Sequence, residues 1–213
     1  SKRVSGNSQN EVTSPLPANI EKIKQIAKAQ NATLVQYTIV TDNSQPNTAH
    51  QTKESSLYIW VIKPTGEVSF REVNLKSVLA KENINLAELV TTARESFGVS
   101  RNSRQQFIVS RPDVEKEQKE LQIKRLKQLY QLLITPITDA LNTNQRTIFI
   151  PQGELFLVPF PALLDEQGKY LVDKYTIQTA PSIQVLDLTY QQKRRQSNQA
   201  NNNQALIVGN PTM

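Results

Sequence analysis

Few side chains of this sequence have the chemistry to break a covalent bond. The 213 residues include no cysteine, which excludes disulfides, thiolate zinc sites and a thiol nucleophile. The single histidine, His50, lies in residues 41–56, where Asn, Ser, Thr, Gln and Pro are typical of a loop. Catalytic groups need a rigid scaffold, so we interpret His50 as a solvated loop residue. The sequence therefore predicts no cysteine- or metal-centred catalysis by this chain alone.

The remaining polar candidates lie in turns. Asp165 and Glu166 begin a turn that ends at Gly168, with Asp173 nearby, and no apolar pocket that would raise a carboxyl pKa is evident. We expect these carboxylates to be solvated. Gly153 lacks the further glycines of a phosphate-binding loop, and no Gly-x-Ser-x-Gly motif is present. We therefore expect no catalytic, cofactor-binding or metal-binding residue, and no cofactor.

Two segments allow a binding role beside a structural one. Residues 209–211, Gly-Asn-Pro, follow an apolar run and could form a ligand loop, although a turn that ends a strand is the simpler interpretation. Residues 159–163, Pro-Phe-Pro-Ala-Leu, could line a substrate groove, although we favour a rigid elbow that seats Phe160 in the core. Trp60 is expected to pack in the core.

The charge pattern weighs against nucleic acid and membrane partners. The net charge is +6, but Lys and Arg in residues 115–127 alternate with Glu, as on a solvated helix face. Residues 193–195, Lys-Arg-Arg, form the one tight basic run, and no aromatic residue follows to stack on a base. No apolar run reaches about 18 residues, so no membrane span is expected.

Hydrophobic periodicity predicts a small α+β layer in the first part of the chain. A helix should begin near Pro17 after a polar linker, and three β-branched or aromatic runs predict an antiparallel meander. Two further helices and one long helix should follow, the last kinked or divided at Pro136. The predicted segments are the linker 1–14, strands 33–40, 57–62 and 68–73, and helices 75–80, 86–97 and 114–141.

The pattern changes after residue 145. Residues 146–151 form a compact apolar run, typical of a strand covered on both faces, and residues 175–179 predict another strand. Ser182 is a suitable cap for a helix. Residues 191–204 are polar and expected to be disordered in part. Residues 205–209 are apolar throughout and predict a last strand that needs cover on both faces. The chain alone should therefore be poorly soluble or oligomeric.

Three stretches resemble the CHAT family, caspase-like domains typically found after tetratricopeptide repeats and common in cyanobacteria. They are LYIWVIKPTGEVSFREV (57–73), RTIFIPQGELFLVPFPALLDEQGKYLVDKYTIQTAPSIQVLDL (146–188) and ALIVGNPTM (205–213). The resemblance implies a relative of caspases and separase. Competent members use a histidine and a cysteine as a dyad, and both lie beyond the segment that corresponds to residues 205–213. No residue of this chain inherits a catalytic role.

The expected fold is α/β, an amino-terminal antiparallel meander with helices followed by a partial, mostly parallel caspase-like sheet. We divide the chain into a linker (1–14), a non-catalytic α+β layer (15–145) and the incomplete start of the caspase-like part (146–213). The implied function is the non-catalytic part of a cytoplasmic CHAT cysteine peptidase. Its partners would be the carboxyl-terminal half of the domain, upstream tetratricopeptide repeats and a protein substrate. An inactive interaction module is the alternative, and a nucleic-acid-associated module is the weakest.

Overall fold

A mixed sheet forms the middle layer of the computed structural model, which describes residues 20–41, 54–94 and 112–198. The strands are β1 (Ala32–Thr41), β2 (Glu54–Ile62), β3 (Val68–Asn74), β4 (Arg146–Ile150) and β5 (Ile177–Thr179). Their order across the sheet is β3-β2-β1-β4-β5, with antiparallel pairs β1–β2 and β2–β3 and parallel pairs β1–β4 and β4–β5. The predicted meander is confirmed, and the parallel strands continue the same sheet.

Helices cover both faces of this sheet, which confirms the α/β fold class. The first face carries α1 (Ile20–Gln30) and α5 (Ile183–Asn198). The second face carries the larger core cluster, built by three α-helices and a series of short 3-10 helices. These are α2 (Leu75–Glu82), α3 (Leu86–Arg94), α4 (Pro112–Leu133) and the 3-10 helices Thr135–Ala140, Gly153–Leu157, Phe160–Ala162 and Leu171–Asp173.

The central strands are apolar on both faces because each face meets a helical layer. In β4, Ile148 and Ile150 pack in the first-face cluster, whereas Phe149 between them packs in the second. In β1, Leu34 points to the first face and Val35 to the second. Alternate side chains of a strand point to opposite faces, so a continuous apolar run is what a doubly covered strand requires. The prediction for residues 146–151 is confirmed.

Three aromatic side chains pack β1 and β4 against the layer on the second face. The rings of Phe149 and Phe160 stack with centroids 4.6 Å apart, and the Tyr37 ring lies 5.9 Å from Phe160. The Tyr37 hydroxyl donates to the carbonyl oxygen of Leu133 at 2.9 Å, and burial raises the pKa of Tyr37 well above its ordinary value. Phe160 is therefore a core residue, as expected. Trp60 is also buried, with its ring 4.6 Å from that of Phe70 on the first face.

Pro136 divides the long helical segment as predicted. α4 ends at Leu133, and a 3-10 helix begins at Thr135 with the proline in its first turn. A proline has no N–H to continue an α-helix and its ring clashes with the preceding turn. Arg71 of β3 fixes the new direction, because its Nε donates to the Pro136 carbonyl at 3.1 Å and its Nη2 lies 2.7 Å from Asp139 Oδ2.

Of the tract 191–204, which was expected to be disordered in part, residues 191–198 are described and helical. These residues continue α5 to Asn198, and the guanidinium of Arg194 lies 5.9 Å from the centre of the Tyr190 ring. Gln, Lys and Arg favour helices, and this composition outweighs the polarity that indicated disorder. The predicted linker 1–14 and strand 205–209 lie outside the described residues.

The sheet crosses the predicted boundary between residues 145 and 146. β4 pairs with β1 from Ala32↔Arg146 to Gln36↔Ile150, so residues from both predicted parts form one hydrogen-bonded ladder. The boundary itself remains a prediction. In the described ranges, no helix combines the length and the apolar character needed to cross a membrane.

Replacement of Tyr37 by Phe should destabilise the fold by about 1–3 kcal/mol, because it leaves the buried Leu133 carbonyl without its donor. Urea unfolding of the variant should show a lower midpoint at an unchanged m-value. Tyr58→Phe is the matched control. Tyr58 lies on the same sheet, half-buried, and its change should stay within about 0.5 kcal/mol. Equal midpoints for the two variants would contradict the assigned role of Tyr37.

Candidate functional site

A crevice opens where two adjacent parallel strands end. After β4 the chain turns to the second face and forms the 3-10 helices, whereas after β5 it turns to the first face and forms α5. Diverging connections of this kind leave a space beyond the carboxyl ends of the strands, a common position for ligand sites in α/β proteins. The cavity here measures about 530 Å³ and is lined by residues 22–23, 36–38, 150–152 and 181–184.

Two helices hold the walls of this crevice together. The Lys22 ammonium of α1 lies 2.8 Å from Asp187 Oδ2 of α5, and further along α1 Gln30 Nε2 donates to the Leu186 carbonyl at 3.4 Å. The Lys22 ammonium, with a hydrogen bond from Gln191, lowers the pKa of Asp187. Ser182 caps α5, since its Oγ accepts from the Val185 N–H at 3.2 Å, which confirms the cap predicted from sequence.

The floor of the crevice is the part of β1 that β4 does not reach. The β1–β4 pairing ends at Gln36↔Ile150, but β1 continues to Thr41. Beyond that point Gln152 Oε1 accepts from the Ile39 N–H at 2.9 Å. The turn that brings Gln152 there needs the positive φ of 57° at Gly153, a conformation that glycine adopts without strain. The expected turn role of Gly153 is confirmed.

Gln36 supplies the most unusual polar atom of the crevice. Its Oε1 is buried and has no hydrogen-bond donor among the described residues. A buried acceptor without a donor costs about 1–3 kcal/mol, so a bound donor at this position would be favourable. Sequence reasoning did not single out Gln36, although one signal was present. It is the sole amide in the otherwise apolar and β-branched run of residues 33–40.

The solvated state expected for Asp165 is wrong. Asp165 is 4% exposed; its Oδ1 accepts from the Lys169 N–H at 2.8 Å, and its Oδ2 lies 2.5 Å from the Lys174 ammonium. The Lys174 ammonium lowers the pKa of Asp165, and Asp165 in turn raises the pKa of Lys174. Glu166 and Asp173 are exposed, as expected. The three carboxylates make separate local contacts and form no common site.

The basic residues are mostly solvated, with one exception. Lys193, Arg194 and Arg195 are exposed near the end of α5. On α4 the exposed charges match the predicted solvated face, but Arg125 is 8% exposed and its Nη1 lies 3.2 Å from Glu82 Oε2 of α2. That arginine joins α4 to the end of α2 through this ion pair. It was expected on the solvated face because sequence alone does not show where a neighbouring helix lies.

His50 and residues 209–211 lie outside the described part of the chain. Within residues 20–41, 54–94 and 112–198, no three histidine, aspartate or glutamate side chains group closely enough to hold a metal ion.

The family comparison agrees with the resemblance carried by the sequence. The CHAT domain family model matches residues 123–213. Residues 123–213 are consistent with a portion of a CHAT domain. The matched segment begins inside α4 and includes β4, β5 and α5, so one wall of the crevice lies within it, whereas α1 and β1 precede it. No curated protein sequence matches the chain.

Asp165→Asn should lower the thermal midpoint at neutral pH, because it leaves Lys174 without its anionic partner. The folded pKa of Asp165 is lowered, so its contribution is present above the ordinary aspartate pKa of about 3.9 and is lost as the pH falls through the lower folded value. Thermal melts of wild type and variant should therefore differ at pH 7 and converge in strong acid. Asp173→Asn, on an exposed carboxylate, is the control. A difference independent of pH would contradict the ion pair.

Proposed function

We propose that this chain is the non-catalytic amino-terminal part of a CHAT caspase-like cysteine peptidase domain, and that it supports a catalytic half and contributes a binding crevice. The observation that carries the proposal is a CHAT match in a chain without a cysteine. A thiol peptidase needs a thiolate and a base that takes its proton. Both groups would come from the catalytic half, while this chain supplies a packed sheet and the crevice at its end.

The proposal extends to the surroundings of the domain. Upstream tetratricopeptide repeats would transmit a signal, a protein would be the substrate, and the whole would act in the cytoplasm of a cyanobacterium or a similar cell. The match to the CHAT domain supports this setting because such domains are typically found in that arrangement.

An inactive interaction module is the second candidate. One observation favours it: the crevice is lined by α1, β1, β4, α5 and the segments that follow β4 and precede α5, and it needs no dyad. In that case the domain would act by holding a partner, and the catalytic half would lack the histidine, the cysteine or both.

A complementation experiment tests the first proposal. The 213-residue chain is mixed with a separately purified polypeptide encoded directly after Met213, at about 100 times its dissociation constant. Binding to the folded chain should stabilise it by about 2.7 kcal/mol, which is roughly 5–10 °C in thermal midpoint for a chain of this size. Size-exclusion chromatography should show a 1:1 complex.

Peptidase activity separates the two candidates. A complex that cleaves a peptide library, and loses this activity when the cysteine of the added polypeptide is replaced by alanine, supports the enzyme. A stable complex without cleavage, in which the added half has no His–Cys pair, supports the interaction module. Absence of both the complex and the midpoint shift would reject the support role.

A further inference from the structure

Among the described residues, the overhanging part of β1 pairs with a strand on one side only. Residues 37–41 pair with β2 on one side, from Tyr37↔Ile59 to Thr41↔Glu54. On the other side β4 has already ended at Ile150. The overhang is five residues long, or about 17 Å of extended chain. Its open side faces the crevice, which Tyr37 and Thr38 line.

The side chain of Gln152, rather than a neighbouring strand, covers part of this open side. Its Oε1 accepts from the Ile39 N–H, the bond that a neighbouring strand's carbonyl would otherwise make, and this contact is exposed. An exposed side-chain amide can rotate away at little cost, since water or another acceptor replaces the bond. The Ile39 N–H is therefore a donor that a strand-like ligand could take over.

A hydrogen-bond acceptor in the same crevice complements the Ile39 donor. Gln36 Oε1 is a buried acceptor without a donor among the described residues and lines the same crevice. A ligand that fits both groups must offer a carbonyl to Ile39 and an N–H near Gln36. A polypeptide main chain carries both in alternation.

We propose that the crevice binds an extended peptide of a protein partner, which adds as a short strand beside residues 37–41 of β1. Strand addition of this kind gains its affinity from main-chain hydrogen bonds and its selectivity from side-chain pockets. Here Ile23, Ile150 and Ile183 supply apolar lining for alternate side chains of the peptide. The Gln152 side chain swings out when the peptide enters.

The charges of the crevice restrict the peptide sequence. Among the lining residues, Lys22 alone is charged at neutral pH, and its ammonium already lies 2.8 Å from Asp187. A phosphorylated or strongly acidic segment would find no uncompensated cation in this lining. The bound segment is therefore uncharged, with apolar side chains at alternate positions.

The inference rests on the proposed function only in the expectation that the chain binds other polypeptides.

The test of this inference uses the 213-residue chain without the catalytic half. A phage-displayed library of random heptapeptides is selected on the immobilised chain, with subtraction on Thr38→Trp, whose larger side chain fills the crevice. The enriched peptide is synthesised, labelled with fluorescein and titrated by anisotropy. Circular dichroism and thermal melts verify that each variant is folded.

Three changes should each alter the affinity of that peptide in a predicted direction. Gln36→Leu removes the acceptor and should weaken binding about five- to tenfold. Gln152→Ala removes the internal competitor for the Ile39 N–H and should tighten binding about threefold. N-methylation of alternate peptide nitrogens should weaken binding about tenfold at some positions and not at their neighbours, since successive N–H groups of a strand point in opposite directions. Gln178→Ala, at an exposed position of β5, is the matched control and should leave affinity unchanged.

Two results would overturn the inference. One is the absence of any peptide enriched on the wild-type chain over Thr38→Trp. The other is an enriched peptide whose affinity does not respond to the changes at Gln36 and Gln152 or to N-methylation, because such a peptide binds elsewhere. Peptide binding without a complex with the catalytic half would support this inference and reject the support role. A complex without peptide binding would do the reverse.

Discussion

The parallel pairing of β1 with β4 is the constraint on which the rest of the structure depends. It joins residues 32–36 to residues 146–150, more than a hundred positions apart, and most side chains of both paired segments are buried. Every helical layer packs against side chains of these two strands. The Phe149–Phe160 stack and the Tyr37 hydrogen bond to Leu133 reach the second layer, while Ile148 and Leu34 reach α1 and α5. Loss of this ladder would expose both core clusters at once.

The crevice is a consequence of unequal strand lengths. β1 has 10 residues and β4 has 5, so the carboxyl-terminal half of β1 extends beyond its parallel neighbour. Pro151 follows β4 directly and has no N–H to continue the ladder. The chain then turns at Gly153 toward one face, and α5 starts from the other. The result is a site with a main-chain donor and a buried acceptor. Such a site needs no catalytic side chain, and the chain has no thiol.

Sequence patterns predicted the elements well because their signals are local. β-Branched, aromatic and continuous apolar runs identified the strands, Pro136 the division after α4, and Ser182 the cap of α5. The failures concern tertiary contacts, which residue types and their local order do not show. Asp165 was expected in solvent because its turn is polar, but the Lys174 ammonium pairs with it. Arg125 was expected on a solvated face, but Glu82 of α2 pairs with it. The crevice was missed for the same reason, since Gln36 and Gln152 are 116 positions apart and only the β1–β4 register brings them together.

Native-state hydrogen exchange measured residue by residue tests the dependence on β1 and β4 most directly. If their ladder holds the sheet together, the protected amides of both strands should exchange only through global unfolding, with the same opening free energy and the same dependence on denaturant. The contrary result is exchange of the β4 amides through a smaller opening while β1, β2 and β3 stay protected. The meander would then be a separate unit, and the parallel ladder would be an accessory to the fold.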